Sequence, residues 1–316
     1  MTNFAFVFPG QGSQAVGMLD AWGDHPAVAG VVAEASDALG EDIGRLIREG
    51  PKEALAMTTN TQPVMLVAGV AAYRAWLSEG GAAPAVVAGH SLGEYSALVA
   101  AGVLTLAEAA PLVRFRAQAM QDAVPAGSGA MAAVLGMDAK RVIEGCSEAV
   151  RSFGIGTSEV VEAVNFNDPA QTVIAGSKAA VDKACEVLKA HGAKRTLMLA
   201  VSAPFHSSMM KPAADKLRQM LARTVLAPPR VPVINNIEAK SESDPERIRA
   251  ALYEQAFGPV RWVECVRAIR DRGITTVVEC GPGKVLAGLC KRIDPELTGL
   301  AVYDPATLAA AKDLLA

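Results

Sequence analysis

The residue best suited to covalent chemistry in this sequence is Ser91, at the centre of the G-x-S-x-G pattern Gly89-His90-Ser91-Leu92-Gly93. A serine hydroxyl is a weak nucleophile, and enzymes present it on a sharp turn between a strand and a helix. Small and β-branched residues precede Gly89, and helix formers fill Leu92–Ala101. The glycines relieve crowding at such a turn, and the helix start points backbone N–H groups at an oxyanion. The pattern predicts a nucleophile elbow; the alternative is an ordinary glycine-rich loop.

A serine nucleophile needs a base, and the chain has four histidines. His25 lies at the start of a predicted helix, His191 at the end of another, and His90 beside Ser91, where the turn should aim its side chain elsewhere. His206 remains as the candidate base, because it follows a predicted strand and a proline; the alternative is a packed or capping histidine. No Asp or Glu is an obvious third member of a triad, so a backbone carbonyl could orient the imidazole instead.

Two arginines follow on a predicted helix that begins after Thr105, a plausible N-cap. Arg114 and Arg116 are separated by one residue, so they point to different sides of the helix and at most one faces the site. An arginine there would recognise a carboxylate through two parallel hydrogen bonds. Spacing alone favours the alternative of a solvated arginine pair.

The glycine-rich loop Pro9–Gln14 follows a predicted first strand, Phe4–Phe8, which places it at the carboxyl edge of a parallel sheet. Gly10, Gly12 and Ala15 match the dinucleotide pattern G-x-G-x-x-A. That pattern needs an acidic residue at the end of a second strand, and Glu34 falls in a predicted helix instead. We therefore expect the loop to supply backbone donors near Ser91 rather than to bind a nicotinamide cofactor.

Composition excludes several classes of protein. The 316 residues are 51% hydrophobic and carry a formal net charge of −3, so no nucleic-acid partner is indicated. No apolar stretch suits a membrane span, and Met1-Thr2-Asn3-Phe4 does not resemble a signal peptide. The five cysteines form no C-x-x-C pair, which indicates reduced, packed thiols and a cytoplasmic location. A monomer is expected.

The order of predicted elements indicates an α/β fold with an inserted subdomain. Residues 1–124 and 202–316 alternate strands and helices, with breaks expected at Gly50-Pro51 and near Pro63. Residues 125–201 follow the order β-α-β-β-α-β, which is typical of a ferredoxin-like (split βαβ) unit. Its predicted elements are the strands Ala130–Met137, Val160–Asn165, Thr172–Ala175 and Arg195–Val201, and the helices Asp138–Ser152 and Ser177–Ala190. Ser202 begins the expected return to the large lobe.

Seven segments, spread in order over nearly the whole chain, resemble the malonyl-CoA:acyl carrier protein transacylase family. They are Phe8-Pro9-Gly10-Gln11-Gly12-Ser13-Gln14, Gly89–Leu98, Arg116 with Met120-Gln121, Gly129-Ala130-Met131, Val164-Asn165-Phe166-Asn167, Pro204-Phe205-His206-Ser207 and Gly258–Trp262. The resemblance implies a hydrolase-like parallel-sheet lobe with an inserted ferredoxin-like subdomain. Ala117 is a small departure, because many relatives have glycine after the arginine.

The resemblance also implies roles for individual residues. Ser91 accepts the acyl group and His206 is its base, while Arg116 rather than Arg114 pairs with the free malonyl carboxylate. The backbone carbonyl of Gln255 holds the imidazole. The remaining implied residues line the site: the backbone N–H groups of Gln11 and Leu92 as oxyanion hole, Phe205 as a limit on branched acyl groups, and Asn165 and Asn167 facing the cleft without an assigned role.

The function implied is a ping-pong transfer of malonyl from the coenzyme A thioester malonyl-CoA to acyl carrier protein in fatty acid biosynthesis. No metal and no permanently bound cofactor are implied, since the carrier brings its own phosphopantetheine. Basic residues near the cleft, such as Lys189, Lys194 and Arg267, are candidates for carrier docking. The alternatives are an acyltransferase serving a polyketide synthase or a malonate decarboxylase complex, a serine esterase, and a non-catalytic scaffold of the same fold.

Overall fold

Residues 3–201 and 203–316, the part that the computed structural model describes, contain a five-stranded and a four-stranded β-sheet. The strands are β1 (Phe4–Phe8), β2 (Val86–Gly89), β3 (Gly129–Leu135), β4 (Val161–Asp168), β5 (Gln171–Ser177), β6 (Arg195–Met198), β7 (Val233–Ile234), β8 (Thr276–Cys280) and β9 (Thr298–Val302). Three residues lie outside the described part of the chain. They are Met1 and Thr2, which belong to the segment that does not resemble a signal peptide, and Ser202, where we expected the return to the large lobe.

Helices cover both sheets. They are α1 (Pro26–Leu39), α2 (Ile43–Glu49), α3 (Lys52–Ala56), α4 (Thr58–Ser78), α5 (Gly93–Ala100), α6 (Leu106–Gln121), α7 (Ala139–Arg151), α8 (Lys178–Ala190), α9 (Lys211–Leu221), α10 (Pro245–Gln255), α11 (Trp262–Arg270), α12 (Val285–Ile293) and α13 (Pro305–Leu315). Short 3₁₀ turns occur at Asp20–Trp22 and Ser208–Met210. None of the helices in the described ranges is long and apolar enough to cross a membrane.

The larger sheet is parallel, with the strand order β7-β2-β1-β8-β9. Its central strand β1 is buried along its whole length because helices cover both faces, as expected for a parallel sheet. The side chains alternate: Phe4, Phe6 and Phe8 pack into one core and Ala5 and Val7 into another. This sheet therefore presents the loops after β1 and β2 at a common carboxyl edge.

The smaller sheet is antiparallel, with the order β4-β5-β3-β6, and its elements follow one another as β-α-β-β-α-β. Helices α7 and α8 pack on one face, and Met131 and Ala133 on the other face join the core of the larger sheet. The protein is thus mixed α/β, with a parallel sheet and a separate antiparallel sheet, as the sequence predicts at this level. Strand β6 is shorter than predicted and ends at Met198.

The helix break expected near Pro63 falls at Met57, between the end of α3 and the start of α4, and Pro63 itself lies inside α4, which runs from Thr58 to Ser78. A proline inside a helix leaves the carbonyl four residues earlier without its usual donor. That carbonyl belongs to Thr59, and Arg114 Nη1 donates to it at 2.6 Å. Arg114 also pairs with Glu41, so it supports α4. The alternative of a solvated arginine pair is wrong, because Arg114 is bonded to this helix and Arg116 is buried.

All five cysteines are buried and unpaired, as expected for reduced thiols packed as small apolar groups. They are Cys146, Cys185, Cys265, Cys280 and Cys290.

The predicted elbow joins β2 to α5, and its glycines are required by close approach. A Cβ on Gly89 would lie 1.9 Å from the carbonyl oxygen of Gly93, and one on Gly93 would lie 2.0 Å from that of Phe8. Neither glycine has a positive φ angle. Ser91 does, with φ of 52° in the left-handed region. The turn therefore holds Ser91 above the carboxyl edge of the sheet by packing α5 directly against the end of β1.

Replacing Gly93 with alanine should lower the free energy of unfolding by at least about 2 kcal/mol, because the new methyl group meets backbone that cannot move aside. Gly30→Ala is the matched control: Gly30 is exposed in α1, and a Cβ there has no neighbour within 4 Å. That control should be neutral or stabilising by up to about 1 kcal/mol. Urea unfolding of both variants checks this, and equal effects would contradict the assigned contact.

Candidate active site

Ser91 and His206, the predicted nucleophile and base, are in hydrogen-bond contact, with 2.6 Å between Ser91 Oγ and His206 Nε2. On the other side of the ring, Nδ1 lies 2.9 Å from the backbone carbonyl of Gln255. A carbonyl oxygen can only accept, so Nδ1 carries the proton and Nε2 is free to accept from the serine hydroxyl. The ring is therefore held in the tautomer that a general base requires.

His206 is neutral at physiological pH. Burial and, after it, the nearby positive charge of Arg116 lower its pKa to about 3, against a smaller opposing effect of the Gln255 carbonyl. A neutral imidazole in contact with a hydroxyl can accept its proton. Loss of the base by protonation is thus prevented over the whole physiological range of pH.

Arg116 lies in the same site, as the resemblance implies, while Arg114 points away toward α4. Arg116 is only 2% exposed, and its guanidinium stands over the ring of Tyr95, 5.4 Å from the ring centroid. Nη1 donates to Gln62 Oε1 at 2.6 Å, and Nη2 donates to Gln255 Oε1 at 3.0 Å and to Ser91 Oγ at 3.3 Å. A fixed cation thus stands beside the hydroxyl that could carry an acyl group.

The elbow backbone is clamped by Asn236, a residue that no local sequence motif indicates. The Ser91 N–H donates to Asn236 Oδ1 at 2.7 Å, and Asn236 Nδ2 donates to the Gly89 carbonyl at 2.7 Å. One buried side-chain amide therefore satisfies the N–H of Ser91 and the carbonyl of Gly89. Asn236 follows the short strand β7 at the same sheet edge, and that position was the available signal.

A buried carboxylate, Glu94, completes the polar network beneath the elbow and was also missed. Its Oε2 accepts from the Asn236 N–H at 2.9 Å and from Gln255 Nε2 at 3.0 Å. Gln255 Nε2 also donates to the Ser91 carbonyl at 3.0 Å. Burial raises the pKa of Glu94 to about 7, against the opposing effects of these hydrogen bonds and of Arg116. Glu94 follows Gly93 directly, so the elbow pattern itself was a signal.

Gln11 and Leu92 line the same small cavity of about 110 Å³ as Ser91 and His206. Among the described residues, neither backbone N–H donates to a backbone or side-chain acceptor. Gln11 follows β1 and Leu92 precedes α5, so both stand at the carboxyl edge of the parallel sheet. Unused donors beside a nucleophile are what an oxyanion hole requires.

Residues of the antiparallel sheet, and of the segments that follow it, also line the cavity. Met131 of β3, Leu199 and Phe205 line it together with Asn165, whose Oδ1 is buried without a partner among the described residues. Asn167 does not line this cavity and instead bonds His90, with 2.8 Å between Asn167 Oδ1 and His90 Nε2. His90 thus bonds Asn167, whereas Ser91 Oγ is bonded to His206.

The two other histidines lie outside the site. His25 accepts from the Ala27 N–H at 3.3 Å at the start of α1, and His191 caps the end of α8 beside Glu148. Across the described ranges, no cluster of His, Cys, Asp and Glu could hold a metal ion.

Comparisons with known proteins agree on one family. The sequence model of the acyl transferase domain matches residues 5–293. A malonyl CoA-acyl carrier protein transacylase of Escherichia coli strain K12 is 51% identical over 315 residues, which is 99% of this chain and 100% of that protein. A crystal structure of an acyl-carrier-protein S-malonyltransferase from Burkholderia pseudomallei is 60% identical, with a TM-score of 0.95 over 99% of this chain and 100% of that one.

A third similar protein was solved with its partner. The structure of a type II PKS (polyketide synthase) acyl-carrier protein in complex with its malonyl-transacylase matches with a TM-score of 0.95 and 48% identity. The match covers 99% of this chain and 100% of that one.

The lowered pKa of His206 predicts how folding stability depends on pH. Between about pH 6.5 and pH 3 the unfolded chain binds a proton on this histidine that the folded chain does not, so stability is lost as pH falls. From about pH 7.5 to pH 5, wild type should lose about 2 kcal/mol more than the variant His206→Gln. Every other titrating group is common to both proteins. Urea unfolding at the two pH values measures the difference, and parallel losses would show that the site does not suppress protonation.

Proposed function

The chain belongs to the acyl transferase domain family, and we propose that the cavity between its two sheets is the active site for malonyl transfer. The protein is an acyltransferase that moves the malonyl group of malonyl-CoA to acyl carrier protein, the activity named for its relatives. One observation carries the assignment of the site: Arg116 Nη2 lies 3.3 Å from Ser91 Oγ. A guanidinium beside the nucleophile suits an acyl group that has its own carboxylate, as malonyl does.

The first half-reaction loads the enzyme. Arg116 pairs with the malonyl carboxylate and places the thioester carbonyl at Ser91. Ser91 Oγ attacks that carbonyl while His206 Nε2 takes its proton, and the N–H groups of Gln11 and Leu92 bind the oxyanion. The carbon–sulfur bond then breaks, and the imidazolium returns its proton to the coenzyme A sulfur. Malonyl remains as an ester on Ser91, and the Gln255 carbonyl keeps the ring oriented throughout.

The second half-reaction unloads it. The phosphopantetheine thiol of acyl carrier protein gives its proton to His206 and attacks the ester carbonyl in the same oxyanion hole. Ser91 leaves and recovers the proton. The site must keep water from the ester between these steps, and a small cavity lined by residues of both lobes serves this purpose. The sequence of two transfers through one serine gives ping-pong kinetics.

Further features of the protein are part of the same proposal. The parallel-sheet lobe, residues 1–124 and 202–316, is hydrolase-like, since its nucleophile stands on a strand-turn-helix elbow. The inserted lobe, residues 125–201, is ferredoxin-like, since its strands follow the split βαβ order. We propose a cytoplasmic monomer, and the five unpaired buried cysteines support the reducing location.

The malonyl-carrier product serves fatty acid biosynthesis in this proposal. A second candidate is supply of a polyketide synthase, because the similar transacylase solved with its carrier serves a type II PKS carrier protein. A serine esterase would use the same elbow but would release the acyl group to water and would not need Arg116.

Removing Arg116 should change which acyl group is transferred. Arg116→Ala is expected to lower malonyl transfer by about 100-fold or more, because the malonyl carboxylate would be buried without a partner. Acetyl transfer should fall far less, since acetyl has no carboxylate to pair. Steady-state transfer from malonyl-CoA and acetyl-CoA to acyl carrier protein measures both.

Arg114→Ala is the matched control, because Arg114 lies on the same helix but bonds the Thr59 carbonyl outside the site. It should destabilise the fold and leave the ratio of malonyl to acetyl transfer unchanged. Equal losses for both substrates in Arg116→Ala, or a changed ratio in the control, would refute the assignment of Arg116.

A further inference from the structure

Arg116 is a buried cation whose hydrogen-bond partners are all neutral. Its nitrogens donate to the amide oxygens of Gln62 and Gln255 and to the Ser91 hydroxyl. A buried charge without a counter-charge is costly, and one that must await a substrate carboxylate would be uncompensated for most of the catalytic cycle. The site therefore needs a negative charge that is present before the substrate binds.

Three carboxylates are buried in the described part of the chain, and they belong to Glu94, Asp168 and Glu279. Asp168 pairs with Arg292 at 2.8 Å, and Glu279 accepts from the Ala287 N–H at the start of α12. Glu94 alone is bonded to a partner of Arg116, because Gln255 Nε2 donates to it while Gln255 Oε1 accepts from Arg116 Nη2. One amide thus separates the buried anion from the buried cation.

We propose that Glu94 is a positioning residue that supplies the counter-charge of Arg116 through the side-chain amide of Gln255. The two charges interact across that amide: Arg116 favours the ionised form of Glu94, and Glu94 favours the charged form of Arg116. This inference rests on the proposed function, since it assigns Arg116 to the substrate carboxylate.

The amide that separates Glu94 from Arg116 affects which acyl group the site selects. A carboxylate in direct contact would occupy the two parallel donors of the guanidinium and would compete with malonyl for them. Because the Gln255 amide lies between them, Glu94 compensates the positive charge of Arg116 without occupying its N–H donors. Those donors stay available for the substrate carboxylate. Its charge also repels the malonyl carboxylate weakly, so Glu94 sets how strongly the site prefers an anionic acyl group over a neutral one.

The same carboxylate oxygen has a second, geometric task. Oε2 accepts from the Asn236 N–H at 2.9 Å as well as from Gln255. Asn236 clamps the elbow and Gln255 orients His206, so loss of the oxygen would disturb both catalytic residues. A test must therefore separate the charge of Glu94 from its hydrogen bonds.

The variant Glu94→Gln makes this separation, because its amide oxygen can accept both hydrogen bonds while the charge is lost. Removing the charge should strengthen the attraction of Arg116 for malonyl and leave it uncompensated when acetyl is bound. At about pH 8, above the pKa of Glu94, the ratio of malonyl to acetyl loading should rise at least about 10-fold. Unit charges roughly 12 Å apart already contribute that factor at an effective dielectric constant of about 20, and one amide spans less. Free malonate should bind about 10-fold more tightly, measured by calorimetry.

Two further variants complete the experiment. Glu279→Gln is the matched control, since Glu279 is an equally buried carboxylate of the same size that holds α12 outside the site. It should leave both the loading ratio and the malonate affinity at wild-type values. Glu94→Asp keeps the charge and shortens the side chain, so both loading rates should fall while their ratio stays at the wild-type value.

The measurements distinguish failure of the role proposed for Glu94 from failure of the proposed function. Proportional loss of malonyl and acetyl loading in Glu94→Gln, with unchanged malonate affinity, would reduce Glu94 to a hydrogen-bond acceptor and overturn the inference. A shifted ratio in Glu94→Asp would overturn it too, and this readout remains if Glu94→Gln does not fold. Failure of wild-type protein to load malonyl at all would instead refute the proposed function, so the two claims fail separately.

Discussion

The site depends on two residues held in a backbone conformation that their side chains disfavour. Ser91 and His206 have φ of 52° and 65°, in the left-handed region, and each such residue costs about 1–3 kcal/mol. Their contact of 2.6 Å exists because the surrounding structure enforces both angles. Asn236 clamps the backbone around the serine, and the Gln255 carbonyl fixes the histidine ring. Within the site, the backbone strain falls on Ser91 and His206. The hydrogen bonds that compensate it come from Asn236 and Gln255, which are distant in the sequence.

Gln255 connects the chemistry to the choice of substrate. Its backbone carbonyl accepts from His206, and its side chain bonds Arg116, Glu94 and the Ser91 carbonyl. One residue at the end of α10 therefore positions His206, Ser91 and Arg116, which we propose as the base, the nucleophile and the residue that binds the acyl carboxylate. A displacement of α10 would disturb catalysis and selectivity together, whereas a change at Arg116 alone acts mainly on selectivity.

Local patterns predicted the elbow well, because a G-x-S-x-G turn between a strand and a helix is itself a local signal, although the contact that requires Gly93 is with Phe8, 85 residues away. The same holds for β1 and for Thr105, which forms the expected cap with Glu108. Contacts between distant residues were not predictable in this way. Helix α4 continues through a proline because an arginine 55 residues away bonds the freed carbonyl. Asn236 and Gln255 reach the elbow across 145 and 164 residues, and the resemblance to a family, rather than any pattern, indicated Gln255.

We propose that Ser91 holds the malonyl group between two partners. Intact-protein mass spectrometry after brief mixing with malonyl-CoA detects this adduct, and a peptide digest locates the modified residue. We expect one malonyl group, on Ser91, which acyl carrier protein removes much faster than water does. Absence of the adduct, its location on another residue, or its release as free malonate at the same rate with and without the carrier would refute this role of Ser91.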